Sequence, residues 1–230
     1  MPLRPGLILA TDYDGTLAHH DHRLVPETIA ALERFRKAGG TLILVTGRIV
    51  DELSTVCPRL DLFDAIVAEN GALLVRPAAG TTRRLAEPPP STFVEALRAR
   101  GVGPIAVGEV VVATWRPHEE TVEQVIRERQ LGLSVILNKR AVMVLPTGVD
   151  KASGLRAALD ELHIAPAEVA AIGDAENDLD FLAFCGLAVA VQNALPAVKA
   201  RAGLVTRGER GAGVVELIDA LLAGSAWPAP

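Results

Sequence analysis

The sequence predicts an α/β protein, a parallel-sheet core interrupted by a small inserted α+β module. Three observations carry that expectation. Apolar runs of strand length alternate with helical patterns at both ends of the chain, and unbroken apolar strands signal a sheet covered by helices on both faces. The alternation lapses between Pro77 and Asp150 and resumes at Lys151. Acidic or polar residues directly follow several apolar runs, where open α/β sheets place their ligands.

Each element follows from the residues. Leu7-Ile8-Leu9-Ala10 opens a strand that runs to residue 11. A helix over Pro26 to Ala38 carries Ile29, Leu32 and Phe35 at helical spacing and stops at Gly39-Gly40. Strand Thr41–Val45 leads into Thr46-Gly47-Arg48 and a helix over Ile49 to Val56. Ala65–Ala68 is a third strand, ending at Glu69-Asn70-Gly71-Ala72. Residues Ala78 to Thr82 read as loop, and Pro88-Pro89-Pro90 is a rigid break with Ser91 as the expected N-cap. Then come helix 92–100, strand 105–114, helix 118–130 and strands 133–137 and 141–145. That module holds few apolar residues of its own and is expected to pack on the core. From Lys151 a helix to residue 162, strand Val169–Ile172, strand Leu187–Val191, helix 195–201 and helix Gly213 to Leu222 complete the core. The expected division is residues 1–79 and 149–230 as core and 80–148 as insert. The tail after Ala223 reads as mobile.

Composition excludes several function classes. A net charge of −5 removes the electrostatic case for a nucleic acid or an anionic membrane as partner. Aromatic residues at 3% argue against a stacking surface for single strands. No apolar stretch approaches transmembrane length, and Met1–Pro5 runs straight into a strand, leaving no room for a signal peptide. Cys57 and Cys185 are far apart and read as buried thiols of a reducing compartment. A cytoplasmic protein is expected, as a monomer or homodimer.

Asp12 and Asp14 project together at the mouth of the first strand, and Gly15 lets the chain turn there. One carboxylate can attack as a nucleophile, the other can move a proton, and both lie close enough to share a divalent cation. Thr46 offers a hydroxyl and a backbone N–H to a phosphate oxygen. Lys151 sets a cation against the nucleophile, and Asp174 and Asp178 are hard oxygen ligands suited to Mg²⁺. Asn177 can donate to phosphate or hold a metal-bound water. Arg48 either pairs structurally or approaches substrate. His19-His20-Asp21-His22 reads as a solvated loop, with a metal site as the sharper alternative. In the insert, Trp115, Arg116 and Lys139 fall near strand ends, where side chains can overhang the site.

Four blocks in order carry a resemblance: Asp12-Tyr13-Asp14-Gly15-Thr16, Val45-Thr46-Gly47-Arg48, Lys151 after an apolar strand and Pro146-Thr147-Gly148, and Gly173-Asp174-Ala175-Glu176-Asn177-Asp178. The chain resembles the haloacid dehalogenase superfamily, and Glu69-Asn70-Gly71 resembles its Cof-type, subclass IIB members with an α+β cap between the second and third motifs. The resemblance implies a Rossmann-like core and a Mg²⁺-dependent phosphatase for a small phosphorylated metabolite. It implies Asp12 as nucleophile, Asp14 as acid and base, Thr46 and Lys151 as catalytic partners, and Gly47, Arg48 and Asn177 as substrate contacts. Asp12, Asp14, Asp174 and Asp178 would form the metal set. The phosphoglycolate and sucrose phosphatase branches share this architecture, as does phosphomannomutase, so a mutase stays open as an alternative. A signalling receiver phosphorylated on Asp12 is a third reading, opposed by the second aspartate and the long insertion.

Overall fold

The computed structural model describes residues 7–224; the expectations for the Met1–Pro5 lead and the Trp227–Pro230 tail fall outside them. The main sheet collects β1 (Ile8–Asp12), β2 (Thr41–Val45), β3 (Ala65–Ala68), β4 (Leu73–Arg76) and β5 (Thr81–Arg84) from the first part of the chain. After the insert it adds β10 (Ala170–Gly173), β11 (Leu187–Ala190) and β12 (Leu204–Val205). Their order across the sheet is β12-β11-β10-β1-β2-β3-β4-β5. The strands from β12 to β3 pair in parallel, whereas β3, β4 and β5 form an antiparallel meander at the edge. β1 lies centrally between β10 and β2, with Asp12 level with Val45 and Thr11 level with Ile172. The ends of β1, β2 and β10 therefore meet at one point.

The central strands are Leu-, Ile-, Val- and Ala-rich because both faces are covered. Leu9, Ala10, Leu42, Ile43, Leu44 and Val45 have no solvent exposure. Helix α1 (Pro26–Lys37) turns Ala31, Leu32 and Phe35 inward and packs on β2 and on α8 (Arg210–Leu222). Helix α2 (Val50–Val56) follows the β2 loop. Helix α5 (Lys151–Leu162) packs on β3, on β4 and on α6 (Leu179–Phe184), and α7 (Pro196–Lys199) lies against β11.

The inserted chain forms a second sheet from β6 (Ala106–Val107), β7 (Val112–Trp115), β8 (Leu133–Asn138) and β9 (Ala141–Pro146), in the order β6-β7-β9-β8, wholly antiparallel. Helices α3 (Ser91–Ala99) and α4 (Glu119–Glu128) pack together, and Phe93, Leu97, Val122 and Val125 join Val112, Val142 and Val144 in a separate buried cluster. The module thus has its own core, and the expectation of few apolar residues is corrected.

Other expectations also change. The insert does not begin at residue 80: Thr81–Arg84 is the edge strand of the main sheet, paired with Leu73–Arg76. Its Thr-Thr-Arg-Arg sequence lies exposed at the sheet edge and carries no apolar signal. The single strand expected over 105–114 is two strands separated at Gly108–Val111. Ser91 is the first helical residue and Pro90 the cap. The short strands β4 and β12 and the helix α6 were not anticipated at all; each is too brief to show a period.

One glycine holds the halves of the core together. Gly71 has φ +107°, and a Cβ there would lie 1.8 Å from the Asp150 carbonyl oxygen, just before α5. We expect Gly71→Ala to cost about 3 kcal/mol, through both a backbone conformation hostile to L residues and overpacking. Gly80→Ala, at φ +62° with open space around it, should cost about 1 kcal/mol. Urea denaturation of the two variants checks the contrast.

Candidate active site

Helix α5 aims its first residue into the sheet. Asp150 caps it, accepting the Ser153 N–H at 2.7 Å, while the Ser153 hydroxyl oxygen accepts the Asp150 N–H at 2.9 Å. Lys151, at N1, is 1% exposed, and its Nζ lies 2.6 Å from Asp12 Oδ1 and 2.6 Å from Asp178 Oδ1. Asp178 is held from its other side, its Oδ2 accepting the N–H groups of Asp174 and Ala175 at 2.8 and 2.9 Å. The centroid of the Phe181 ring lies 5.6 Å from Nζ.

Asp12, Asp174 and Asp178 are all buried, and one carboxylate oxygen of each lies within 4.8 Å of the others. Three hard oxygens so close together can hold a metal ion, and they fit a small divalent cation better than a soft one. Burial pushes the Asp12 carboxyl well above the usual carboxylate range; Lys151 pulls it down, and Asp178 and Asp174 push it further up. Burial also raises Asp174, against the pull of Lys139. Burial works against the charge on Lys151, yet Asp12 and Asp178 outweigh it and raise its pKa above the ordinary lysine range.

Asp14 stands apart. Its carboxylate accepts Arg48 Nε at 2.6 Å and a second guanidinium nitrogen at 2.7 Å, and His22 Nδ1 lies 2.9 Å away. Partial burial opposes its ionisation, but the hydrogen bonds from Arg48 hold it below the usual carboxylate range. The expected fourth metal carboxylate is therefore turned away from the acidic cluster. Thr46 is buried beside the site; its backbone N–H is committed to the Val67 carbonyl at 2.8 Å, because parallel pairing continues past β2. Only its hydroxyl, which accepts the Arg48 N–H at 3.2 Å, can serve a ligand. Asn177 donates to Asn70 Oδ1 at 2.9 Å, leaving its own Oδ1 without a partner.

A cleft of about 670 Å³ opens above Asp12 and Asp14 between the two sheets. Gly47, Arg48, Trp115, Lys139, Arg140 and Arg210 are among the residues that line it. Lys139 reaches down to Asp174 Oδ2 at 2.7 Å. Arg116, an expected contact, is not in the lining and pairs with Glu119 at 3.4 Å, whereas Arg140, in the turn between β8 and β9, is in the lining. His20, His22 and Arg210 also line the cleft and were missed. The His19–His22 loop is solvated as expected, all four residues being exposed, and the fold brings His22 to Asp14.

The chain belongs to the haloacid dehalogenase-like hydrolases, whose family model matches residues 9–97 and 116–218. Among its relatives, the phosphoglycolate phosphatase of Pyrobaculum neutrophilum is 33% identical over 225 residues, covering 95% of this chain and 97% of that protein. The phosphoglycolate phosphatase of Haloarcula marismortui is 31% identical over 221 residues, covering 91% and 95%. Such relatives put the chain among the phosphatases of the family. A solved protein of Thermoplasma acidophilum superposes with a TM-score of 0.83 at 18% identity, over 95% of this chain and 99% of that one. A subclass IIB sugar phosphatase gives 0.76 at 21% identity, over 92% and 97%. At these identities the two structures speak for the fold alone.

Removing the lysine should expose how the cluster is balanced. We expect Lys151→Met to destabilise the metal-free protein by about 3–5 kcal/mol, because two buried carboxylates lose their counter-charge. Millimolar Mg²⁺ should recover part of that loss, read as a rise in the urea midpoint.

Proposed function

We propose that the protein is a Mg²⁺-dependent phosphomonoesterase that hydrolyses a small anionic metabolite, phosphoglycolate or a sugar phosphate, through an aspartyl-phosphate on Asp12. The observation that carries this reading is the buried contact of Lys151 with Asp12 and Asp178 beside Asp174. Lys151 holds Oδ1 of Asp12, leaving Oδ2 to attack phosphorus. The P–O bond to the leaving group breaks as the new bond forms, and Asp14 protonates the departing oxygen. Asp14 then takes a proton from the water that hydrolyses the acyl phosphate, restoring Asp12. The Thr46 hydroxyl donates to a phosphoryl oxygen, and Asn177 and Gly47 flank the transferred group. Asp12, Asp174 and Asp178 would hold Mg²⁺, which when bound supplies positive charge to the phosphoryl oxygens and to the crowded carboxylates.

In its pair with Arg48, Asp14 favours the anionic form, the one needed to activate water. Acting as acid requires a proton, and a substrate whose leaving group carries an anion would draw Arg48 off the carboxylate. Arg48, Lys139, Arg140 and Arg210 on the cleft wall suit such a leaving group, in line with the names of the curated relatives. We also propose that the inserted module, from about residue 86 to 148, acts as a cap that excludes water, with Trp115 and Lys139 as contacts. No helix of the described residues is long and apolar enough to cross a membrane; with both thiols free, we place the enzyme in the cytoplasm.

A phosphate-release screen over a metabolite panel tests the reading. 2-Phosphoglycolate or a sugar phosphate should release phosphate with Mg²⁺ and not after EDTA treatment; isomerisation without release would favour a mutase instead. Asp12→Asn should lower kcat by roughly three orders of magnitude or more with the fold intact, as seen by circular dichroism. Asp14→Asn should slow alkyl phosphates by about 10²–10⁴-fold. Its effect on p-nitrophenyl phosphate, whose leaving group needs no proton, should be much smaller; equal losses would remove Asp14 from proton transfer.

A further inference from the structure

We propose that Glu69 is a positioning residue that fixes the inserted module over the catalytic centre and thereby sets which leaving groups the cleft admits. The selectivity part rests on the hydrolase reading above. Glu69 follows β3 in the core and has no solvent exposure. Its Oε1 accepts the N–H of Glu109 at 2.9 Å, and its Oε2 accepts those of Val110 and Val111, both at 2.8 Å. A core carboxylate thus grips three successive backbone amides of the insert, and no salt bridge to it is found among the described residues. The chain passes between the two cores at this segment: Val110 and Val111 belong to the main cluster, and Val112 to the small one. Gly108 makes the approach possible, since a Cβ there would lie 2.4 Å from Glu69 Oε1.

What the grip holds is the roof of the site. The next residues, Ala113, Thr114 and Trp115 of β7, line the cleft. β7 pairs with β9, whose Met143 stands over Gly47, with its sulfur 3.2 Å from where a Gly47 Cβ would be. β9 is joined to β8 by the turn that delivers Lys139 to Asp174. A shift of residues 109–111 therefore moves every one of these side chains.

The gripping residue is itself registered to the catalytic centre. Glu69 and Asn70 have φ +50° and +54°, an unusual pair for residues with side chains, and Gly71 follows at +107°. That conformation is tied on all sides. The Glu69 N–H bonds to the Arg48 carbonyl at 3.0 Å, the Asn70 N–H to the Thr46 carbonyl at 2.9 Å, and Asn70 Oδ1 accepts from Asn177. Gly71 abuts Asp150, the cap of the Lys151 helix. One three-residue turn touches the loops bearing Thr46 and Arg48, Asn177 and Lys151, and its first side chain holds the module above them.

Two variants attack the grip from opposite sides. Glu69→Gln keeps the size but sets an amide donor against backbone donors; Gly108→Ala wedges a methyl group into the contact and leaves the core unchanged. Each is compared with the full-length wild type by amide hydrogen exchange and by kcat/KM for 2-phosphoglycolate and for p-nitrophenyl phosphate. The amides of Glu109, Val110 and Val111 should exchange at least tenfold faster. The kcat/KM ratio of phosphoglycolate to p-nitrophenyl phosphate should fall at least tenfold, mainly through KM for phosphoglycolate. Unchanged exchange, or faster exchange with the ratio preserved within twofold, would overturn the proposal; if Glu69→Gln does not fold, Gly108→Ala decides alone. A wild type that releases phosphate from neither compound would instead sink the hydrolase reading and the selectivity role with it, while exchange would still judge the grip.

Discussion

The site is organised around one ammonium group. Lys151 is buried between Asp12 and Asp178, and each of the three needs the others, since an isolated charge at that depth would be too costly to keep. The surrounding architecture serves that balance. β1 and β10 are parallel neighbours, so their carboxyl ends bring Asp12 and Asp174 together. The capping box of Asp150 and Ser153 fixes where α5 begins and hence where Nζ lies. Two backbone N–H groups spend one oxygen of Asp178 and leave the other for the lysine. Even with these partners, three carboxylates face two ammonium groups, an oxygen-rich cluster that could hold a divalent cation.

Against that cluster, the treatment of Asp14 is instructive. Asp12 and Asp14 are two residues apart, yet one lies buried among carboxylates and the other, half-buried, lies against a guanidinium. Their pKa values move in opposite directions, Asp12 upward through burial and Asp14 downward through its hydrogen bonds from Arg48. Arg48 does this by a bidentate contact that a lysine would not reproduce. The same guanidinium also lines the cleft.

Much of this was legible in the chain because buried parallel strands are apolar throughout and the chemistry sits at their ends. Asp12, Asp14, Thr46, Lys151, Asp174, Asn177 and Asp178 stood out through their places after apolar runs together with the resemblance of their four blocks to a known family, and the fold gathers them. What escaped the sequence depends on contacts between distant segments. Thr81–Arg84 is a strand only because Leu73–Arg76 offers it an edge. The break at Gly108–Val111 is the turn of the β6–β7 hairpin, closed by the Gly108 N–H on the Val111 carbonyl, and the distant Glu69 accepts the other three N–H groups of that turn. Arg116, expected at the cleft, instead pairs with Glu119, and Arg140 in the β8–β9 turn lines the cleft. The Thr46 N–H looked free until β3 was placed beside it.

The division of labour between the sheets follows from strand alternation. On β9, Val142 and Val144 enter the core of the inserted module, whereas Met143 and Leu145 join the main cluster. The small sheet is therefore covered by its own helices on one face and turns the other toward the catalytic core. Substitutions on that second face, at Ala113, Trp115, Lys139 or Met143, alter the walls of the cleft without touching the buried residues that hold the module together. Asp12, Thr46, Lys151, Asp174 and Asp178 all come from the core, whereas the cleft above them is walled by both units, with Arg48 and Arg210 from the core and Trp115, Lys139 and Arg140 from the insert. Such an arrangement works only if the two surfaces keep a fixed register, and the turn at Glu69-Asn70-Gly71 is where the structure ties one to the other.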